Sequence, residues 1–358
     1  MKILDWYIFR KFAVAFVFVT IILMAVLVVI DITEKIEDFT RSKQSFYRIA
    51  TEYYLNFIPH WANTLSPIII FIAAVFVTAR LASHTEIVAM LSSGVSLSRL
   101  LVPYILVSSL IAVIVFFMVA YVIPDANKIR KNFENNYLRK DKFYYSDRNV
   151  HFKLAPTLYV YLESYDNFSN IGYKFTIEHI EGTELKQKLE ASRLIWNDST
   201  KKWKLENYKI RTLMPNGEKI ETGTMIDSTI AIKPKDFESK HEYEEQLRLD
   251  ELEAYIAELR LRGADNVMHY VTERYVRYAY PFAIIILTII GVIVSARKTR
   301  EGAGFQIAFG FILAFLYVLL ILLSRGFATQ GLPPLLAAWI PNLTFCVVGL
   351  IMYWRVPK

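Results

Sequence analysis

The chain has 358 residues, 54% of them hydrophobic, which is too apolar for a soluble protein and too polar for one that lies entirely in a membrane. Its net charge of +7 comes mostly from basic loop residues without an RNA-binding pattern, which argues against a nucleic-acid partner. The single cysteine, Cys346, excludes an internal disulfide bond.

Six uncharged stretches are long enough to cross a bilayer, which takes about 20 apolar residues. They predict an α-helical membrane protein with six transmembrane helices in two sets of three, separated by an inserted all-β region. Pro59 and Pro67 predict a kink in the second span. The spans cover residues 12–30, 53–78, 100–124, 278–296, 302–324 and 326–354, and the domains cover 1–124, 125–248 (β), 249–277 (helical connector) and 278–358.

Basic residues near the span ends predict the orientation, because Lys and Arg concentrate in cytoplasmic loops. With six spans, four basic groups fall on one side, so we expect both termini in the cytoplasm and the β domain outside it. These groups are Lys2, Arg10 and Lys11; Arg80 and Arg99; Arg297, Lys298 and Arg300; and Arg355 and Lys358.

The loop between spans 2 and 3 contains the best candidate for a functional segment. Ile87, Met90 and Leu91 recur at helical spacing, which predicts a short amphipathic helix over about residues 84–96 that ends near Gly94. Its one acidic residue is Glu86. A helix lying on lipid favours Lys and Arg, so docking into the groove of a partner protein is favoured over a lipid-facing role.

A second candidate is a set of basic residues on the predicted outer side. Arg and Lys both bind phosphate, so such residues at the rim of a membrane cavity suit an anionic lipid headgroup. Snorkelling to ordinary lipid phosphates, or pairing with nearby acidic residues such as Asp31, Glu34 and Asp125, explains them equally well. The set is Lys35, Lys128, Arg130, Lys131 and Arg325.

The middle of the chain changes from helical to strand periodicity at about residue 149. Alternation at 150–154 and 173–177, a hairpin pattern at 194–205 and a turn at 215–217 predict an antiparallel sandwich, barrel or jelly roll. After residue 234 the helical period returns. Leu249, Leu252, Ile256 and Leu259 then share one face, and Gly263 follows as a predicted C-cap.

Motifs of the common enzyme classes are missing from the sequence. It contains no GxxxxGK[ST], HExxH or GxSxG pattern and no pair of cysteines, and its six histidines lack the spacing of metal ligands. We therefore expect no catalytic residues, no metal site and no cofactor in this chain.

Five segments, spread from one end of the chain to the other, resemble a known family. They are LDWYIFRKF, TEIVAMLSSGVSLSRL, the helix-then-span segment from Leu249 through RYAYPFAIIILTIIGVIVSAR, REGAGFQIAFGFILAFLY and GLPPLLAAWIPNLTF. The chain resembles the permease subunits of the lipopolysaccharide exporter, the LptF/LptG family, and the last segment favours the G-type subunit.

The resemblance implies a function and an energy source. The chain would be the permease subunit of an ABC transporter that extracts lipopolysaccharide from the inner membrane of a Gram-negative bacterium. A separate cytoplasmic ATPase dimer would hydrolyse ATP with Mg²⁺. The predicted loop helix would be the coupling helix in a groove of that ATPase. Its contact residues would be Glu86, Ile87, Met90, Leu91 and Gly94.

The resemblance also implies partners. A paralogous six-span subunit would complete a heterodimer, with spans 1 and 5 lining lateral gates. The β domain would be a periplasmic jellyroll that passes lipid to a jellyroll bridge protein, next to a single-span jellyroll partner. Lys35 and Lys131 fall near the family's headgroup contacts, but Asp31, Glu34 and Glu134 add acidic residues there.

Three other functions are compatible with the same patterns. One is an ABC-type permease for another lipid or a polysaccharide. Another is a membrane-anchored β domain that binds a partner without transport. The last is a membrane enzyme, which the missing motifs disfavour most.

Overall fold

The computed structural model describes residues 3–138, 150–166, 169–198, 200–215, 217–230, 243–262, 267–296, 302–328 and 330–355. The chain divides into two compact units. The helical unit comprises residues 1–138, 244–253 and 268–358, and the sheet unit comprises residues 139–243 and 254–267. The predicted C-cap Gly263 and the basic residues Arg297, Lys298 and Arg300 lie outside the described residues.

The α-helices occur in two series along the chain, one before the strands and one after them. They are α1 (Ile3–Ser42), α2 (Phe46–Arg48), α3 (Leu55–Thr64), α4 (Ser66–Ser83), α5 (Glu86–Ser92), α6 (Leu97–Phe117), α7 (Ile123–Phe133), α8 (Leu249–Arg262), α9 (Val267–Ser295), α10 (Gly302–Ala328) and α11 (Pro334–Arg355). Two π-helical segments, Ile49–Tyr54 and Met118–Val122, join neighbouring helices, and a third, Glu134–Leu138, continues α7.

Six helical stretches of the described chain are long and apolar enough to cross a membrane, which confirms the six predicted spans. The helices run beyond the predicted bounds because helical hydrogen bonding continues past the first charged residue. The 40 residues of α1 measure about 60 Å, roughly twice the hydrocarbon core of a bilayer. Residues 125–138, predicted to begin the β domain, are likewise helical, and their charged side chains are paired.

The second span is broken at Leu65 rather than continuous over 53–78. Pro67 lies in the first turn of α4 and has no N–H to donate to the carbonyl of Asn63, four residues earlier. The hydroxyl of Tyr280 on α9 takes that place and donates to Asn63 O at 2.7 Å. The predicted kink is therefore a full break, and a neighbouring helix satisfies the freed carbonyl.

The core of the helical unit forms around α4, where Ile69, Ile70 and Phe71 are fully buried. Small residues let the neighbouring helices approach it closely. A Cβ atom on Gly310 of α10 would lie 2.3 Å from Cε1 of Phe71. A Cβ atom on Gly291 of α9 would lie 3.2 Å from Cβ of Ala74. Glycine is required at Gly310 by this close packing.

The sheet unit is an up-and-down antiparallel meander, in which each strand pairs with its neighbours in sequence. The predicted hairpin is present, with Trp196 paired to Trp203, and the predicted turn joins Met214 to Gly217. The second strand was missed because Tyr159 and Tyr161 occupy its outward positions and hide the alternation. The strands are β1 (Val150–Ala155), β2 (Leu158–Asp166), β3 (Ile171–Glu181), β4 (Glu184–Asn197), β5 (Lys202–Met214) and β6 (Gly217–Ser228).

One line of interrupted pairing crosses the sheet from β2 to β6. Lys174 and Asn207 on this line have left-handed backbones, with φ of 49° and 50°. The buried side chains switch between even-numbered and odd-numbered positions across this line. On β2, Leu162 is buried before the line and Tyr165 after it. Because of this switch, apolar side chains on both sides of the line pack into one common core. The unpaired positions are Glu163, Lys174, Ser192, Asn207 and Thr224.

Candidate functional site

The loop helix α5 is shorter than predicted, with seven residues, Glu86–Ser92, instead of about 84–96. It begins after Thr85, whose φ of 62° separates it from α4. It ends before Gly94, whose φ of +88° favours glycine. Ser96 then caps α6 by accepting a hydrogen bond from the backbone N–H of Arg99. Turns at both ends therefore set α5 apart from the spans.

The side chains of α5 divide between the core and the surface. Ile87 is fully buried, and Met90 packs beside it against the core of the helical unit. Val88 and Leu91 are 52% and 42% exposed. Of the predicted docking residues, Leu91 is thus presented outward, whereas Ile87 anchors the helix. Val88 was missed, although its three-residue spacing from Leu91 placed it on the same face.

Glu86 is held by the first helix. Tyr7 donates its hydroxyl hydrogen to Oε2 of Glu86 at 2.9 Å. Nζ of Lys11 lies 3.6 Å from Oε1 of the same carboxylate and also donates to the Tyr7 hydroxyl. Glu86 therefore joins the start of α5 to α1.

The other end of the loop is attached to α1 as well. Arg99, in the first turn of α6, donates to Oδ2 of Asp5 at 2.6 Å, and Asp5 is buried. We call these two attachments, Tyr7 and Lys11 with Glu86 and Asp5 with Arg99, the clasp. It ties both ends of the loop to the same helix. No short-range pattern marks these partners in the sequence.

At the opposite end of α1, Lys35 belongs to a polar cluster. Its Nζ lies 2.8 Å from Oδ1 of Asp31 and 3.9 Å from Oε1 of Glu134, and it donates to the hydroxyl of Tyr53. The hydroxyls of Tyr53 and Tyr54 donate to Asp31 at 3.0 and 3.1 Å. The Lys35 side chain is 28% exposed, so it remains within reach of a ligand.

Arg130 and Lys131 on α7 are largely buried, at 8% and 7% exposure. Arg130 lies 3.3 Å from Glu134, the residue that also approaches Lys35, and Lys131 lies 3.7 Å from Glu245. Both cations are paired within the chain, with carboxylates other than Asp31, Glu34 and Asp125, the partners that the sequence suggested.

Lys128 is paired with the connector helix. Its Nζ lies 2.8 Å from Oε2 of Glu251 on α8 and 3.5 Å from Oδ1 of Asp125. The hydrogen bond from Lys128, with a second from the backbone N–H of Arg248, lowers the pKa of the Glu251 carboxyl. Arg248 also binds Asp125 through its guanidinium group. These contacts hold α7 against the start of α8.

Arg325, near the end of α10, lies 3.3 Å from Oε2 of Glu273 on α9. Glu273 also faces the buried Arg277, at 3.5 Å. The guanidinium group of Arg277 donates to the carbonyl of Leu247 at 2.7 Å. Lys35 and Arg130 approach the same carboxylate, Glu134. The other three predicted headgroup residues, Lys128, Lys131 and Arg325, contact Glu251, Glu245 and Glu273 in turn.

No group of three or more metal-ligating side chains occurs within the described residues. The predicted site residues that carry a charge form cation–carboxylate pairs within the described part of the chain.

The comparison with protein families gives one match along almost the full length. The profile of the family described as lipopolysaccharide export system permease LptF/LptG matches residues 6–355. A search of curated proteins gave no significant match. The match agrees with the six spans and the inserted antiparallel sheet, and it makes the chain a multi-pass inner-membrane permease that works with other components of the export system. It does not separate the F-type from the G-type subunit. The chain belongs to the LptF/LptG family of lipopolysaccharide export permeases.

Proposed function

We propose that this chain is the permease subunit of an ABC-type lipopolysaccharide exporter, driven by a separate cytoplasmic ATPase dimer. Both termini and the α5 loop lie in the cytoplasm, and the sheet unit lies in the periplasm, as the basic span ends predict. The observation that carries the proposal is how the side chains of α5 are divided between the core and the surface. The helix is anchored by Ile87, presents Val88 and Leu91 outward, and lies in a loop whose two ends are attached to α1 by the clasp.

The exposed pair on α5 suits a protein partner. Two apolar side chains, Val88 and Leu91, project from α5, which ends in the small polar residues Ser92 and Ser93. An apolar ridge of this kind fits a groove in another protein. Glu86 adds a carboxylate at the beginning of the ridge, and its side chain is 31% exposed. The ATPase dimer, which supplies ATP and Mg²⁺ chemistry, binds here.

The clasp gives the ATPase a mechanical route to the other side of the membrane. A push on α5 reaches α1 through Glu86 and through Asp5. The helix α1 is continuous from Ile3 to Ser42, so Tyr7 and Lys35 are roughly 40 Å apart on one rod. Motion of the loop therefore moves Lys35 and its polar cluster.

The least buried spans identify the surface for the second permease subunit. In the apolar windows of α1 and α10, 11% and 24% of the residues are buried, the lowest values among the six spans. We propose that these faces line the lateral gates of a cavity shared with the paralogous six-span subunit. Lipopolysaccharide enters that cavity, and the sheet unit passes it to the jellyroll bridge and its single-span jellyroll partner.

At the outer rim, Lys35 exchanges its carboxylate partners for a lipid phosphate. Asp31 and Glu134 compete with the phosphate for the same ammonium group, so the contact forms in one state of the cycle or through a bridging divalent cation. Lys128 and Arg325 are exposed enough to contribute in the same way.

Co-purification tests this assignment. The tagged chain is extracted gently from native membranes, and the associated proteins and lipids are identified by mass spectrometry. We expect an ATPase, a second six-span subunit and lipopolysaccharide. Leu91→Asp is expected to lose the ATPase and keep the second subunit, whereas Ser98→Asp, which adds the same charge outside α5, is expected to keep both.

The other outcomes separate the alternatives. Retention of the ATPase by Leu91→Asp would show that α5 is not the docking helix. An ATPase together with a different lipid would keep the mechanism and change the substrate. Absence of any ATPase from the wild-type preparation would favour a membrane-anchored β domain that binds a partner without transport.

A further inference from the structure

A groove with a volume of about 1020 Å³ lies between the N-terminal half of α1 and the C-terminal half of α4. The two helices run in opposite directions, since Tyr7 near the start of α1 contacts Glu86, which follows α4. The groove therefore opens at the end of the helical unit that carries the clasp, which is the proposed cytoplasmic side.

The polarity of the groove lining changes along the helix axes, from charged at one end to apolar at the other. On α1, Arg10, Val14 and Phe18 follow one another at intervals of four and share a face. On α4, Phe76 and Arg80 have the same spacing in the opposite direction. Both helices therefore place a cation at the clasp end and apolar side chains about 6–12 Å deeper in the membrane. This polarity matches a molecule with an anionic head and apolar tails.

At the mouth of the groove, two cations have no ion-pair partner within the described chain. Glu86 is the acidic residue of the lining, and Tyr7 and Lys11 already occupy it. Arg10 and Arg80 are exposed and form no ion pair with another residue of the described chain. With Lys11 and His84, the lining contains four basic side chains and one acidic side chain. The mouth thus has an excess of positive charge.

We propose that this groove binds an anionic glycerophospholipid of the cytoplasmic leaflet. Arg10 and Arg80 contact its phosphate, and its acyl chains lie along Val14, Phe18 and Phe76. Trp6, which lines the same groove and is 58% exposed, stands at the depth where tryptophan contacts the membrane interface. The bound lipid links α1 to α4 beside the clasp.

The charge pattern favours a lipid over a helix of another subunit. A protein helix that covered Arg10 and Arg80 would remove both charges from water, and it would have to supply matching carboxylates. A lipid phosphate supplies the charge at the membrane surface, where Arg is already found. The inference uses the proposed orientation and does not depend on lipid export.

Photo-crosslinking tests the proposal on the full chain in its membrane complex. Phosphatidylglycerol with a photoactivatable acyl chain is incorporated into vesicles, and adducts are mapped by mass spectrometry. Phosphatidylcholine with the same label is the probe control. We expect phosphatidylglycerol adducts on the segments around Val14, Phe18 and Phe76, reduced by about tenfold or more in the double variant Arg10→Gln/Arg80→Gln. Arg355→Gln, a matched change of a cation on the same side, is expected to leave them unchanged.

Three results would overturn the proposal. Equal labelling by the two lipids would show that the groove does not recognise the headgroup. Adduct loss on addition of unlabelled lipopolysaccharide would assign the groove to the transported lipid. Absence of lipid adducts from these segments in the wild-type complex would show that the groove holds no lipid, which is the result expected if another subunit covers it. Arg10 and Arg80 are exposed, so the double variant is expected to fold, and the thermal unfolding midpoint checks this.

Discussion

Arg99 and Asp5 are 94 positions apart in the sequence, yet Nη2 of Arg99 donates to Oδ2 of Asp5 at 2.6 Å. The carboxylate is buried and the guanidinium group is 37% exposed, so the pair lies at the edge of the helical unit. It fixes the start of α6 to the start of α1. Together with the contact of Tyr7 and Lys11 to Glu86, it makes the α5 loop and α1 one mechanical element.

Removing the Asp5 partner tests the strength of this attachment. Arg99→Gln is expected to lower the free energy of unfolding by about 1–3 kcal/mol, because it takes this charged donor away from a buried carboxylate. Arg260→Gln provides a matched change of an exposed cation and is expected to have an effect within about 0.5 kcal/mol. Thermal unfolding in detergent measures both, and equal effects of the two variants would contradict a specific role for the Asp5 contact.

The Tyr280 hydroxyl is expected to stabilise the break in the second span. Tyr280→Phe leaves the carbonyl of Asn63 without its donor, and we expect a loss of about 1 kcal/mol. Tyr278→Phe removes a hydroxyl from an exposed position of the same helix and serves as the control. If the two variants unfold at the same temperature, the carbonyl is satisfied in some other way.

Gly310 is expected to tolerate no side chain. A methyl group there would overlap the ring of Phe71, so Gly310→Ala is expected to destabilise the helical unit by about 1–3 kcal/mol. Gly304 lies on the same helix, and a Cβ atom added there would meet no other atom within 4 Å, so Gly304→Ala is expected to be neutral or slightly stabilising. Reversal of this order in unfolding experiments would contradict the close packing of α10 on α4.

Acid is expected to weaken the contact between Glu244 and His269. Burial by itself raises the pKa of the Glu244 carboxyl, but the hydrogen bond and charge of His269, at 3.1 Å, outweigh it and hold the pKa below its usual value. The contact therefore stabilises the fold above the ordinary carboxyl pKa of about 4.3. That stability is lost as the pH falls through the lower pKa of the folded state.

Glu244→Gln is expected to unfold more easily at neutral pH, by about 1 kcal/mol, and to lose less stability on acidification than the wild type. Unfolding midpoints measured at pH 7 and at about pH 4 give this comparison. Glu253→Gln, at an exposed position of α8, is the control and should follow the wild-type pH dependence. A Glu244→Gln protein with the full acid sensitivity of the wild type would assign that sensitivity to other carboxylates.

The sequence predicted those features that depend on local composition. The free energy of burying about 20 apolar residues in lipid marks the six spans whatever their neighbours are. Alternating side chains marked the hairpin at Trp196 and Trp203. The break near Pro67 was foreseen as a kink, because the missing N–H is a property of proline itself.

Other features depend on distant or unusual partners and were not predictable in this way. Asp5 and Arg99 meet only after three helices have packed. The line of interrupted pairing across the sheet depends on left-handed backbone conformations at Lys174 and Asn207. Lysine rarely adopts that conformation, so its presence in the sequence does not indicate it. The acids that pair with Lys128 and Lys131 come from residues 245–251, more than 100 positions later.

The most direct test of the account exchanges the charges of the clasp. The complex is reconstituted in vesicles, and release of lipopolysaccharide and hydrolysis of ATP are measured for Asp5→Arg, Arg99→Asp and the double variant. Each single variant is expected to hydrolyse ATP but release little lipopolysaccharide. The double variant is expected to recover release, because the ion pair is restored. Normal release by both single variants, at normal levels of assembled complex, would contradict the claim that the clasp carries motion from α5 to α1.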